Sequence, residues 1–556
     1  MSVTEMKTPG VYIQELDAFG NAVVPVPTAI PAFIGYTAKT SYNGKNLVNK
    51  AVRITSLAEF NAIFGSQPPQ IQFGVTVAGA PAADAKPAPT DNSKKKGGDA
   101  PKADPAAAAK GPAAPADFHI GTDAYSLATT TVNYRLFSAI KFFYENGGGT
   151  CYIVSTGAYD YSATALTSTK PFTDALTVLE KETEPTMIVI PDAVELADTT
   201  QTDLSKKYAL CYSLQKDAIN HCGELATRVA ILDVPGGYSE PLVGTTSVEA
   251  FRDNVEPILP KFNSYAATYY PWLHTTINQL TDISYKNIAP ASYPAVKAML
   301  NKEYPNVIDP KTKASVPNPI NKYIDALFGA KPATDEVAQG KADTVLKNLS
   351  ASYKLLLNHM LEKLNLMAPS AAMAGLYTVV DNNEGVWVAP ANIGVQGVIS
   401  PSIRIDLKGQ EDLNMPLDGK SICAIRSFPG KGVLVWGART LDGNSNDWRY
   451  INVRRTLIYI EQSVKEAASA YVFAPNDAKT WVSVKSMISN FLLGLWNQGG
   501  LVGPKPADAF SVTVGLGSTM TGDDILNGRM IVAVKVAVSH PAEFIEITFQ
   551  QEMQKG

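Results

Sequence analysis

The densest hydrophobic pattern in the chain lies near its carboxy end. Met530 to Gln551 reads MIVAVKVAVSHPAEFIEITFQQ: a β-branched run, a short SHPAE turn, and a second run in which Ile545, Ile547 and Phe549 share one face. The pattern predicts two strands. The first, Met530 to Val538, belongs to the chain's own fold; the second, Glu543 to Gln551, needs a sheet edge, and if the subunit has none free, another chain must supply it. At the other end Pro9, Pro25, Pro27 and Pro31 forbid a helix, while Val11 to Leu16 alternates like a strand. Residues 1–28 and 541–556 therefore read as extended arms.

Between the arms, helical and strand periodicities alternate. Ala29 begins a core strand, AIPAFIGYT, and Ser56 caps a short helix ending on Gly65. Helix Thr130 to Asn146 is expected to align Val132, Leu136, Ile140 and Phe143 on one face. Continuously apolar strands at Thr150 to Thr156, Thr186 to Asp192, Arg228 to Pro235 and Ser264 to Leu273 alternate with helices Phe172 to Lys181, Thr202 to Glu224 and Ser247 to Ile258. This order predicts an α/β domain, within a mixed α+β chain, built on a mainly parallel sheet from residues 29–75 and 118–274. Residues 76–117, dominated by Ala, Pro, Lys, Asp and Gly, read as a low-complexity surface insertion. Residues 275–367 are more polar, carry a helical pattern from Asp343 to Leu366, and read as an inserted peripheral domain.

A junction, 368–419, leads to a carboxy-terminal α+β domain, 420–540. Strands Ser421 to Arg426 and Gly432 to Arg439 are followed by helices Asp447 to Val472 and Asp477 to Asn497, with Asp447 and Asp477 expected as caps. Ile451, Leu457, Ile458, Ile460 and Val464 give the first helix an apolar stripe. Arg449, Arg454, Arg455 and Lys465 then make up a basic remainder on its polar side.

Composition narrows the function. The 556 residues are 45% hydrophobic and only 18% charged, so extensive burial between chains is expected; a net charge of −4 supplies no field for nucleic acid. Four cysteines form no disulfide framework, and neither a basic-then-apolar leader nor a run of 18 apolar residues occurs, so neither secretion by a signal peptide nor membrane insertion is expected. Asp192 and Asp233 end strands where open α/β sheets bind ligands, but Asp at such junctions more often caps turns or helices. No GxGxxG, Walker or GxSxG motif is present, and GLGSTMTGDD at Gly515 to Asp524 lacks the spacing and Lys of a phosphate cradle. His119, His221, His274, His359 and His540 are scattered, and on one helix Cys211 would lie about 15 Å from His221 and Cys222, too far to share an ion. The expectation is a chain that is not an enzyme and holds no cofactor or metal.

Several stretches carry a resemblance. APSAAMAGLYTVVDNNEGVWVAPAN at Ala368 to Asn392 resembles the junction of contractile tail sheath proteins of myovirus tails, R-type pyocins and extracellular contractile injection systems. TPGVYIQEL with AIPAFIGYT is similar to that family's amino arm and first core strand. KSICAIRSFPGKGVLVWGARTL, DWRYINVRRTLIYIEQSVKEAASAYVFAPND and WVSVKSMISNFLLGLWNQGGL are similar to its carboxy block, in the family's order. The resemblance implies a structural subunit that polymerises with itself as hexameric rings around an inner tube, meets baseplate and terminal cap proteins, and contracts from a metastable extended state. It implies assembly in the bacterial cytoplasm into a phage tail or a headless particle released outside. It further implies that Val11, Tyr12, Ile13 and Leu16, with Phe544, Ile545, Ile547 and Phe549, pair with neighbouring subunits, and that Arg449, Arg454, Arg455 and Lys465 are candidates to face the tube. Two other readings stay open: an α/β hydrolase-like enzyme with a deep pocket at Asp192 and Asp233, and a filament or surface lattice that needs no tube.

Overall fold

The computed structural model describes residues 23–66, 68–77, 116–240 and 244–546. Its centre is an eight-stranded sheet. In chain order the strands are β1 (Pro31–Thr37), β2 (Ala51–Ile54), β3 (Cys151–Ala158), β4 (Met187–Val189), β5 (Val229–Asp233), β6 (Ala266–Tyr270), β7 (Cys423–Phe428) and β8 (Gly432–Trp436). In space they run β8-β7-β6-β5-β4-β1-β3-β2. The six central strands are parallel, and β2 and β8 close the two edges antiparallel.

The continuously apolar strands are explained by cover on both faces. Successive side chains alternate between two cores: Ala32, Ile34, Tyr152, Val154, Ile188, Ala230 and Leu232 point to one, and Phe33, Cys151, Ile153, Met187, Val189, Val229 and Ile231 to the other. The first core is closed by helix Lys170–Leu179, through Phe172 and Leu176, and by α2 (Ala209–Leu225), through Leu214 and Ala218. The second is closed by α1 (Leu136–Glu145) and α3 (Ser370–Asn383). The helix expected from Thr130 starts only at Leu136, and Val132 belongs to the opposite core from Leu136 and Ile140. Residues 130–135 instead continue from strand Asp123–Thr129.

The peripheral domain is assembled from two excursions. Helices Tyr293–Glu303, Asn321–Phe328, Glu336–Leu349 and Ala351–Leu364 share a core with a three-stranded antiparallel sheet formed by Phe73–Val77, Asp123–Thr129 and Phe118–Ile120. Phe73, Val75, Phe118, Tyr125 and Leu127 all point into it. The segments on either side of the low-complexity tract thus belong here; most of the tract itself lies outside the described residues.

In the carboxy-terminal domain, α4 (Ile451–Ser469) and α5 (Ala478–Asn497) pack on a two-stranded antiparallel hairpin, β9 (Phe510–Val514) and β10 (Val532–Val536). Asp477 caps α5 as expected, its carboxylate accepting the Thr480 N–H at 2.9 Å. Asp447 does not cap α4. The chain makes a further turn first, the helix opens at Ile451 with no side-chain cap, and the Ile451 N–H is taken by the Ala438 carbonyl at 3.0 Å.

Candidate assembly interface

The place where the sheet would hold a ligand is packed. The Asp192 carboxylate, fully buried, accepts N–H bonds from Tyr36 at 2.8 Å and from Arg135 and Leu136 at 2.6 and 3.1 Å, the last two at the start of α1. Asp233 accepts from the Ser370 N–H at 2.9 Å and from the Ser370 hydroxyl, at the start of α3. Each carboxylate therefore caps a helix from a distant part of the chain, satisfying N–H groups that the helix cannot satisfy itself. Burial pushes both carboxyls up to about 6 in spite of these bonds. Beside Asp233 remains a cavity of about 30 Å³, room for little more than a water. Cys211, His221 and Cys222 are buried on α2. Among the described residues no three His, Cys, Asp or Glu side chains are grouped to hold a metal, and no helix is long and apolar enough to cross a membrane.

Two of the four cations expected on the polar side of α4 are core residues. Arg454 is 6% and Arg455 4% exposed. The Arg455 guanidinium donates to both carboxylate oxygens of Asp381 on α3 and to the Thr28 carbonyl at 3.0 Å, and lies 4.6 Å from the Tyr377 ring. Arg454 is sandwiched between the rings of Trp448, at 3.6 Å, and Tyr265, at 4.1 Å, and donates to the Ser264 hydroxyl at 2.6 Å. Neither faces solvent, so neither is free to grip a partner. Together they clamp α4 to the α/β domain and to the root of the amino arm. Arg449 precedes the helix and is spent on its own turn, donating to the Ser445 carbonyl at 3.0 Å. Lys465 is exposed.

The hairpin is the unfinished part. Phe510, Val512, Val532, Val534 and Val536 pack on the helices, while Ser511, Thr513, Ala533 and Lys535 face outward. Among the described residues no third strand lies beside β9 or β10; a single bridge, Leu501 to Val538, follows β10. Packing on the helices stabilises the two strands, but their outer edges carry unpaired N–H and C=O groups.

Both arms leave from this neighbourhood. At the amino end Val26 donates its N–H to the Ser463 hydroxyl at 3.2 Å, and Val23 packs into the carboxy-terminal core. Residues 26–28 line two clefts, of about 910 and 460 Å³, that also share Val386 and Tyr459 as lining; Lys465 lines the larger. At the carboxy end Glu543 is received in a socket. Arg439 donates to both its oxygens, Asn414 donates at 2.6 Å and the Tyr450 hydroxyl at 3.0 Å. Burial would raise the Glu543 carboxyl, but these partners outweigh it and hold it below the ordinary range. Beyond the socket Phe544 and Ile545 are exposed and form no strand. Val11, Tyr12, Ile13, Leu16, Ile547 and Phe549 lie outside the described residues. Asp381, Asn414, Arg439 and Glu543 carry no local sequence signal; their partners are separated from them by 25 to 129 residues.

Comparison with known proteins places these features. Residues 444–552 match the family model of the phage tail sheath C-terminal domain. A stretch of 129 residues is 27% identical to the tail sheath protein of Vibrio phage KVP40, spanning 23% of this chain and 19% of that relative's length. Among solved structures, the sheath complex of an extracellular contractile injection system, PVC, in its contracted state superposes with a TM-score of 0.54 at 23% identity, over 99% of both chains. A chain of the anti-feeding prophage baseplate in its contracted state gives 0.57 at 21% identity, again over 99% of both. The resemblance to contractile tail sheaths and the mixed α+β fold are thereby borne out, and the matched family is structural rather than enzymatic.

Proposed function

We propose that this chain is the subunit of a contractile tail sheath, polymerising with itself in hexameric rings around an inner tube and contracting from a metastable extended lattice to drive the tube forward. The observation that carries this reading is the pairing of an open-edged hairpin with two anchored arms. Each arm is anchored by the subunit, through Val23, Val26 and Thr28 on one side and Glu543 on the other, and the sequence outside these anchors, Val11 to Leu16 and Glu543 to Gln551, has strand periodicity. An arm added to the edge of β9 or β10 of a neighbour satisfies that edge and links the subunits without fusing their bodies. The contracted-state neighbours and the match over residues 444–552 support the same reading. Baseplate and terminal cap proteins complete the partner set, and cytoplasmic assembly in a bacterium is part of the proposal.

Tube contact moves from the buried Arg454 and Arg455 to the exposed side of α5, where Lys479, Val482, Lys485 and Ser486 are open to solvent. The deciding experiment removes residues 544–556, which leaves the Glu543 socket filled. The expected product is a folded subunit with unchanged melting temperature that forms no sheath. Sheath of normal yield from the shortened chain would overturn strand donation.

A further inference from the structure

The loop joining α4 to α5 carries a side chain that burdens the isolated subunit twice. Phe473 is fully exposed and its neighbour Val472 is 63% exposed. The Phe473 backbone also sits at φ 68°, a left-handed conformation that a bulky L-residue adopts only at a steric cost; Gly or Asn is the usual choice just past a helix end. The loop is pinned. Ala474 N–H bonds to the Tyr471 carbonyl at 3.0 Å, and Asn476 both accepts the Trp481 indole N–H at 2.7 Å and donates to the Arg529 carbonyl at 2.9 Å. Arg529 stands three residues before β10, so the loop is fastened to one end of the hairpin, beside the exposed side chains of Leu526 and Ile531.

We infer that Phe473 is a docking knob that is buried against a second copy of this chain when an arm is added to the hairpin. The inference rests on the strand-addition reading: an arm paired along β9 or β10 runs to the end of the hairpin, at Val514 and Val532, where Asn476 fastens the Phe473 loop to Arg529, so the donor chain reaches that loop. Docking removes from water the apolar surface that the free subunit leaves exposed, and because the loop is already pinned, little further ordering opposes it.

The test compares the full-length chain with F473G, F473A and F473L, and with the chain lacking residues 544–556. F473G relieves the backbone, so the melting temperature of the unassembled subunit holds or rises by about 1–2 °C. The same variant, and F473A, reduce the yield of sedimentable sheath polymer about tenfold or more, and F473L restores most of it. Wild-type polymer yield from F473G and F473A would overturn the inference, as would a melting temperature several degrees lower, which would mean that the ring packs within its own subunit. Normal polymer that fails only to enclose the tube would make the tube the occupant and equally overturn it. Failure of the underlying reading is distinguishable: there the arm-shortened chain polymerises, whereas failure of the knob alone leaves Phe473 variants polymerising and the shortened chain monomeric.

Discussion

The large sheet and the carboxy-terminal hairpin meet the same difficulty, an unpaired strand edge, in opposite ways. Beside β8, Asn392 and Val395 donate their N–H groups to the carbonyls of Val435 and Val433, and Val435 donates to Ile393, so that edge is covered from within the chain. The carboxy ends of β4 and β5 are likewise occupied, by carboxylates that cap α1 and α3. The hairpin has an apolar face against α5 and no such cover among the described residues. The contrast shows where the molecule keeps its unused bonding capacity. Its α/β domain spends its polar chemistry internally, on caps and clamps, whereas the hairpin's outer edges have no strand partner among the described residues and are what the proposed strand donation would use. On the proposed function, a subunit that turns and shifts as one piece while tied to its neighbours would draw on that division.

The largest expected effect comes from opening the closed region. Arg455→Ala leaves Asp381, 1% exposed, as an unpaired buried charge, a loss of about 3–5 kcal/mol in subunit stability by denaturant unfolding. The paired replacement R455M/D381L recovers most of it, since two packed apolar side chains replace a desolvated ion pair. Lys479→Glu and Lys485→Glu, on the exposed side of α5, change subunit stability by less than about 0.5 kcal/mol, with any effect confined to particles that contain a tube. A large loss of stability in the lysine variants would erase the distinction between clamp and surface. Asp192→Ala comes next: it strips acceptors from the N–H groups of Tyr36, Arg135 and Leu136, and about 2–3 kcal/mol is the expected cost.

The closed region was largely legible in the sequence and the clamps within it were not. Apolar runs such as Met187 to Ile190 predict strands covered on both faces because no polar alternation is needed there. Asp192 and Asp233 read as caps for a local reason, their place at strand ends, although the helices they cap lie 56 and 137 residues away. Arg454 and Arg455 mislead because helical periodicity sorts residues by polarity. A guanidinium sandwiched between two rings or paired with a buried carboxylate looks, from its own helix alone, like a solvated face. Residues 73–75 fall in the range assigned to the α/β domain, yet they belong to a strand that pairs with Asp123–Thr129 and packs on helices more than 200 residues later, and nothing in so short a segment names them. The hairpin's second strand, β10, is legible in the run Met530 to Val538, but that its edge stays open is a property of everything else in the fold.

The smallest of the three losses of a buried contact, after Arg455 and Asp192, sharpens the comparison most, because it probes the boundary where closed structure gives way to open. Glu543→Gln keeps the shape of the socket and one acceptor oxygen, and Arg439 retains the Asn414 carbonyl at 3.0 Å, so global stability falls by only about 1–2 kcal/mol. The consequence is local: amide hydrogens around residues 538–546 exchange faster while those of α3 do not. Acid separates the two regions by sign. The Glu543 carboxyl is held below its ordinary value, so its contribution is complete above an unfolded-state pKa near 4.3 and is lost as pH falls through the depressed folded value. Asp192 is pushed up to about 6, so its contribution is complete below the ordinary aspartate range and is lost as pH rises through about 6. Between pH 7 and 5 the body of the subunit therefore gains stability while the latch is unchanged, and below about pH 4 the difference between wild type and Glu543→Gln closes. A difference that stays constant down to pH 3 would mean that Glu543 does not hold the arm by its charge, and the boundary between rigid body and donated strand would have to lie earlier, at the Leu501 to Val538 bridge.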